Sequence, residues 1–269
     1  MAEPKVLIVR APGTNCDQET AFAFATAGGA PELLHVNVLR KSPKLTRDYQ
    51  ILCIPGGFSY GDDVAAGRIL GARFRNELAD ALHEFREAGK LILGICNGFQ
   101  TLLKSGLLIE EDADAGPVAT LGWNDSAKFE DRWSRLRTTA SKCPFLEGIE
   151  DWELPVAHAE GKFVTRDAAT LKSLEAAGQL VMRYAAPSDA GSDAASSADA
   201  SEQVDYPFNP NGSQGNVAGV CDATGRILGM MPHPERYIDF THHPCWTRRP
   251  RRESGDGLKL FENAVNYFR

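Results

Sequence analysis

The chain has 269 residues, 43% of them hydrophobic, which suits one large α/β domain or two small ones with a real core. Its formal charge of −7 argues against a general nucleic-acid binder. No apolar run approaches the roughly 18 residues that a membrane span requires. The start, Met1-Ala2-Glu3-Pro4-Lys5, lacks a charged-then-apolar leader pattern, so the expected location is the cytoplasm.

Val6-Leu7-Ile8-Val9 reads as a short buried strand. Pro12-Gly13-Thr14-Asn15 turns the chain, and Asp17 to Ala27 reads as a helix closed by Gly28-Gly29. Leu33 to Leu39 is expected as a second strand and Ile51-Leu52-Cys53-Ile54 as a third, followed at once by Pro55-Gly56-Gly57. Arg75 to Ala88 has the spacing of an amphipathic helix, with Leu78, Leu82 and Phe85 on one side. Leu91 to Ile95 is a fourth strand. This alternation predicts a doubly wound, mostly parallel sheet flanked by helices, of flavodoxin-like type. Ligands of such sheets bind beyond the carboxyl ends of the strands.

The second half is less regular. Gly116 to Arg137 reads as strand and loop, Leu154 to His158 and Leu180 to Tyr184 as strands. Val217 to Cys221 and Ile227 to Met231 form an expected hairpin joined by Asp222-Ala223-Thr224-Gly225. Gly257 to Phe268 is a closing helix with Leu258, Phe261, Val265 and Phe268 on one face. Residues 185–203 are rich in Ala, Ser and Asp and lack apolar bulk, which predicts a mobile polar insertion. No repeat or boundary appears, so residues 1–269 are read as a single domain.

The chemistry starts at Leu91-Ile92-Leu93-Gly94-Ile95-Cys96-Asn97-Gly98-Phe99-Gln100. An apolar run stops at a cysteine, and the chain turns through Asn-Gly into a helix. That is the shape of a nucleophile elbow with Cys in place of Ser. Cys96 needs a base, and the base needs an orienting partner. Met230-Met231-Pro232-His233-Pro234-Glu235-Arg236 supplies both at the end of another apolar strand: His233 between two prolines, and Glu235 two residues on. A buried core thiol and a structural histidine are the bland alternatives for each residue alone. Together they make a candidate Cys96–His233–Glu235 triad. The loop Pro55 to Asp63 offers an oxyanion donor, the N–H of Gly57, and the N–H of Asn97 offers the other.

The cysteines at 16, 53, 96, 143, 221 and 245 form no CxxC pair, so no zinc site of common spacing is expected and no metal is assigned. His242, His243 and Cys245 likewise fit no common metal spacing. The arginines at 248, 249, 251 and 252 are the one basic cluster, read as a solvated loop or as a docking or phosphate contact.

Gly-Ile-Cys-Asn-Gly-Phe-Gln, Pro-Gly-Gly-Phe-Ser-Tyr-Gly-Asp and Met-Pro-His-Pro-Glu-Arg resemble class I glutamine amidotransferases, and more narrowly the glutaminase component of phosphoribosylformylglycinamidine synthase. The segments Pro12 to Asp17, Asn124-Asp125-Ser126, His158-Ala159-Glu160-Gly161, Asn209 to Ser213 and Leu260 to Ala264 agree with it. Two departures are the polar stretch 185–203 and Ala159, where Gly would be expected. The resemblance implies that Cys96 attacks the side-chain amide of L-glutamine, that His233 passes a proton to the departing ammonia, and that Gln100 contacts the substrate. It also implies a partner synthetase subunit that uses ATP and magnesium, often with a third small subunit, while this chain itself holds no cofactor. The rival readings are a glutaminase serving another synthetase, a cysteine peptidase or hydrolase on the same fold, and a silent regulatory subunit.

Overall fold

A computed structural model describes residues 3–112, 114, 116–139, 142–187 and 203–269. Most of the polar stretch read over 185–203 therefore lies outside the described residues. In chain order the elements are β1 (Lys5–Arg10), α1 (Asp17–Thr26), β2 (Ala30–His35), α2 (Val36–Lys41), β3 (Ile51–Ile54), α3 (Arg68–Glu77), α4 (Ala79–Glu87), β4 (Leu91–Ile95) and α5 (Asn97–Ser105). There follow β5 (Ala119–Gly122), β6 (Glu130–Thr138), β7 (Asp151–His158), β8 (Lys162–Thr165), α6 (Ala168–Ala176), β9 (Met182–Tyr184), β10 (Val217–Cys221), β11 (Ile227–Met230) and α7 (Leu258–Asn266).

Nine strands form one sheet in the order β2-β1-β3-β4-β11-β10-β9-β6-β7. The half from β2 to β11 is parallel, and from β11 onward each pairing is antiparallel. The order 2-1-3-4 is that of a flavodoxin-like sheet, with its switch point between β1 and β3. β3, β4 and β11 are buried at every position, which is why they read as unbroken apolar runs rather than alternating ones. Helices cover the sheet: Phe24 of α1 meets Phe261 of α7 edge-on at 4.9 Å between ring centroids. β5 and β8 pair separately as a small antiparallel ribbon. Among the described residues, no helix is long and apolar enough to cross a membrane.

Two expectations are corrected. The strand read over Leu33 to Leu39 ends at His35, and α2 begins at Val36. The His35 ring caps that helix by accepting the Asn37 N–H at 3.2 Å, and the buried residues are Val36 and Leu39, three apart as in a helix. The helix read over Arg75 to Ala88 is two helices. Leu78, at φ −128° and ψ 3°, breaks the run between α3 and α4, and α3 starts earlier, at Arg68. The expected hairpin of β10 and β11 forms, with Val220 opposite Gly229, and Asp222 holds its turn by accepting from Ile227 N–H at 3.0 Å and Thr224 O–H at 2.7 Å.

Candidate active site

Four loops converge at the carboxyl ends of the parallel strands, those after β1, β3, β4 and β11. Register brings two of them side by side. Gly94 pairs with Gly229 and Ile95 with Met230, so the next residue, Cys96, donates its N–H to the Met230 carbonyl at 2.7 Å. Cys96 itself sits at φ 51° and ψ −103°, a backbone region that non-glycine residues rarely adopt and that costs of order 1–3 kcal/mol. It caps α5, so the positive end of that helix lies at the thiol. Gly98 is needed for this turn. A Cβ there would overlap the Ile54 carbonyl oxygen of β3, so the helix can start only if the residue has no side chain.

His233 lies beyond β11, and its N–H is tied to the Pro155 carbonyl of β7 at 2.9 Å. Its Nδ1 meets Glu235 Oε1 at 2.6 Å, with both side chains almost wholly buried. Burial opposes the charged imidazole, but the charges of Glu235 and then Cys96 outweigh it, and His233 is held well above the ordinary histidine value. Nε2 has no hydrogen-bond partner among the described residues, while the Cys96 Sγ donates to the Ala157 carbonyl at 3.6 Å. The Cys96 thiol and the His233 ring are thus neighbours that interact electrostatically.

A second thiol sits behind the pair. Cys16, in the loop after β1, is buried, and its Sγ lies 4.0 Å from His233 Nδ1. It donates to Asn15 Oδ1 at 3.1 Å and accepts from Arg236 Nη2 at 3.1 Å. Gly56 leaves the space for this approach: a Cβ on it would lie 2.8 Å from His233 Cε1 and 3.2 Å from Cys16 Sγ. Periodicity had no means of finding Cys16 or Arg236. The available signal was that Cys16 follows a strand end, as Cys96 and His233 do.

The two expected oxyanion donors lie on neighbouring loops. Asn97 is the first residue of α5, where an N–H has no intrahelical partner. Gly57 bridges Thr14 in antiparallel fashion through Phe58 N–H to the Gly13 carbonyl at 2.9 Å and Asn15 N–H to the Gly56 carbonyl at 3.4 Å, a pattern that does not use Gly57 N–H. The Asn97 side chain ties the loops together. Its Oδ1 accepts from Ser59 N–H at 3.1 Å, and its Nδ2 donates to Asp62 Oδ1 at 3.0 Å and Gln100 Oε1 at 2.9 Å. Gln100 in turn donates from Nε2 to the Glu160 carbonyl at 2.7 Å, so both ends of its amide brace the elbow. Burial, helped by the charge of Glu160, pushes Asp62 up to about 6.

His158 has a defined tautomer. Asn124 Nδ2 donates to the Lys128 and His158 carbonyls, so Asn124 Oδ1 is the acceptor facing His158 Nδ1 at 3.0 Å, and the proton is on Nδ1. Burial and then the charge of His233 push this histidine down to about 3. The basic cluster stands apart and is partly consumed. Arg249 pairs with Glu153 at 2.6 Å and Arg252 with Asp256 at 2.7 Å. His243 uses Nδ1 to accept the Cys245 N–H at 3.0 Å and packs on Trp133.

The sequence and fold match known proteins along the chain. A model of the CobB/CobQ-like glutamine amidotransferase domain matches residues 3–268. The phosphoribosylformylglycinamidine synthase subunit PurQ of Dehalococcoides mccartyi is 43% identical over 272 residues, covering 100% of this chain and 99% of the relative. That of Treponema denticola is 39% identical over 276 residues, covering 98% of this chain and 99% of the relative. Among solved structures, PurLQS from Thermotoga maritima aligns with TM-score 0.71 at 28% identity over 100% of both chains. A glutamine amidotransferase from Thermotoga maritima, at TM-score 0.51 and 15% identity over 92% of this chain and 82% of that one, shares the fold. The chain therefore belongs to the CobB/CobQ-like glutamine amidotransferase family and, within it, to the PurQ subunits of phosphoribosylformylglycinamidine synthase.

Proposed function

We propose that residues 1–269 act as one glutaminase domain that hydrolyses L-glutamine and delivers the ammonia to a synthetase partner, which aminates formylglycinamide ribonucleotide. The observation that carries the mechanism is the buried His233–Glu235 pair at 2.6 Å, placed beside the strained Cys96. Cys96 Sγ attacks the side-chain carbonyl carbon of glutamine. Negative charge develops on the carbonyl oxygen and is met by the N–H groups of Gly57 and Asn97 and by the positive end of α5. The proton that Cys96 gives up is held on His233, whose charged form Glu235 favours, and it passes from there to the departing nitrogen, so ammonia leaves and a glutamyl thioester remains. Water activated by the same imidazole then cleaves the thioester to glutamate and free Cys96. Glu235 holds His233 in the orientation this exchange requires.

ATP and magnesium belong to the synthetase in this reading, and the PurLQS relative supports a complex with two further subunits. The test is glutamate release by the wild type and by Cys96→Ser, each with a synthetase partner. The expected loss in the variant is roughly three orders of magnitude or more. Equal rates would reject Cys96 as the nucleophile.

A further inference from the structure

The thiol of Cys16 lies within the coordination range of a catalytic pair that does not need it. Cys16 Sγ, a ring nitrogen of His233 and a carboxylate oxygen of Glu235 all lie within 4.8 Å of one another, and the three residues are buried. They are the one group of this kind among the described residues. We propose that Cys16 Sγ, His233 Nδ1 and Glu235 form a seat for a thiophilic divalent cation, zinc in type, whose capture switches the glutaminase off. The inhibitory consequence rests on the reading of His233 and Glu235 as the catalytic pair; the binding does not.

The geometry is close to what such an ion takes. A tetrahedral zinc with one sulfur, one nitrogen and one oxygen ligand sets sulfur and nitrogen about 3.6 Å apart and nitrogen and oxygen about 3.4 Å apart. Here Cys16 Sγ to His233 Nδ1 is 4.0 Å and Nδ1 to Glu235 Oε1 is 2.6 Å, so each gap changes by less than about 1 Å. No side chain stands between the thiol and the ring on the Gly56 side, since residue 56 has none. Among the described residues Glu235 Oε2 is buried without a hydrogen-bond partner, which leaves a carboxylate lone pair to offer. Soft thiolate with imidazole and carboxylate is a donor set that selects zinc over magnesium or calcium.

Charge is compatible as well. As the metal–sulfur and metal–nitrogen bonds form, the Cys16 S–H proton and the His233 Nδ1–H proton leave to solvent. The thiolate and the Glu235 carboxylate then carry two negative charges, and Arg236, whose Nη2 lies 3.1 Å from Sγ, supplies one positive charge, so a dication enters a site of net charge −1. Metal on Nδ1 replaces the hydrogen bond to Glu235 and pulls on the ring that must serve Cys96. The ion is therefore an inhibitor rather than a cofactor.

Two measurements separate the binding from the catalytic reading. The first uses full-length Cys96→Ser, which removes the nucleophile thiol, titrated with Co2+ as a spectroscopic stand-in for zinc. One equivalent should bind with a thiolate-to-cobalt charge-transfer band. Adding Cys16→Ser, or Cys16→Ala if the serine variant melts at a lower temperature, should abolish the band and weaken binding at least 10-fold. A band that survives both substitutions overturns the seat. The second measures glutamate release by the complex in buffered free Zn2+. Wild type should be inhibited and restored by chelator, and Cys16→Ser should need at least 10-fold more zinc relative to its own uninhibited rate. Equal sensitivity would place the ion on Cys96 and overturn the proposal. If no glutaminase activity is found at all, the cobalt titration still decides the seat.

Discussion

Glu235 is two residues from His233 and spends one oxygen on it, and that short link decides the charge of a ring that is 1% exposed. A buried imidazole alone would prefer to be neutral. With Glu235 beside it, its charged form is held well above the ordinary value, with Cys96 as the next contributor. Glu235→Gln keeps the shape and removes the charge. The folded-state pKa of His233 must then fall, so the imidazolium survives only to a lower pH than in the wild type. The expected outcome is a fall in kcat of about 10²- to 10⁴-fold, together with an alkaline limb of the kcat/KM profile that moves to lower pH. A profile of unchanged shape, only scaled down, would mean that Glu235 acts on something other than the ring.

At the scale of elements, the site is where α5 leaves β4, and the close approach there leaves no slack. Gly98 faces the Ile54 carbonyl, backbone against backbone, and neither strand nor helix can retreat without breaking the register of β3 on β4. Gly98→Ala is expected to destabilise the fold by about 2 kcal/mol or more and to abolish hydrolysis. Urea unfolding followed by circular dichroism checks the first part, and a midpoint equal to wild type would show that the turn can relax. The same region explains what the sequence could reveal. β3, β4 and β11 are buried on both faces, so their apolar runs are unambiguous, and Cys96 and His233 stand out because each ends such a run. Val36-Asn37-Val38-Leu39 was ambiguous, since its apolar spacing fits a strand or a single helical turn, and only the His35 cap decides for α2. The break at Leu78 leaves no trace in an amphipathic pattern that runs on through both helices. Cys16 and Arg236 were hidden because their role depends on a contact between residues 16 and 236, which no local pattern records.

At the scale of the molecule, the parallel half of the sheet carries Cys96 and His233, the proposed nucleophile and base, and the antiparallel half reaches back over them. β7, the outermost strand, brings the Ala157 carbonyl to within 3.6 Å of the Cys96 thiol and the Pro155 carbonyl to the His233 N–H. The thiol proton is thus pointed at β7 while His233 Nε2 stays without a partner among the described residues. That is the arrangement of the free chain, and a change in it alters how often the thiol meets the imidazole. The rim is where a partner can act on it. Phe58, from the glycine loop, and Phe129, from the loop leading into β6, are both about half exposed, and their rings face each other at 6.4 Å between centroids. A synthetase surface covering these rings would touch the donor loop and the β6–β7 edge together. Assembly is therefore expected to raise kcat for glutamine hydrolysis at least about tenfold, in the manner of sites completed by a closing partner. Alkylation of Cys96 by iodoacetamide should accelerate in parallel, because it reports how often the thiol meets its base, independently of glutamine binding. If hydrolysis rises on assembly while alkylation does not, the partner acts on substrate binding and not on the thiol's orientation. If neither changes, the arrangement of the free chain is already the working one.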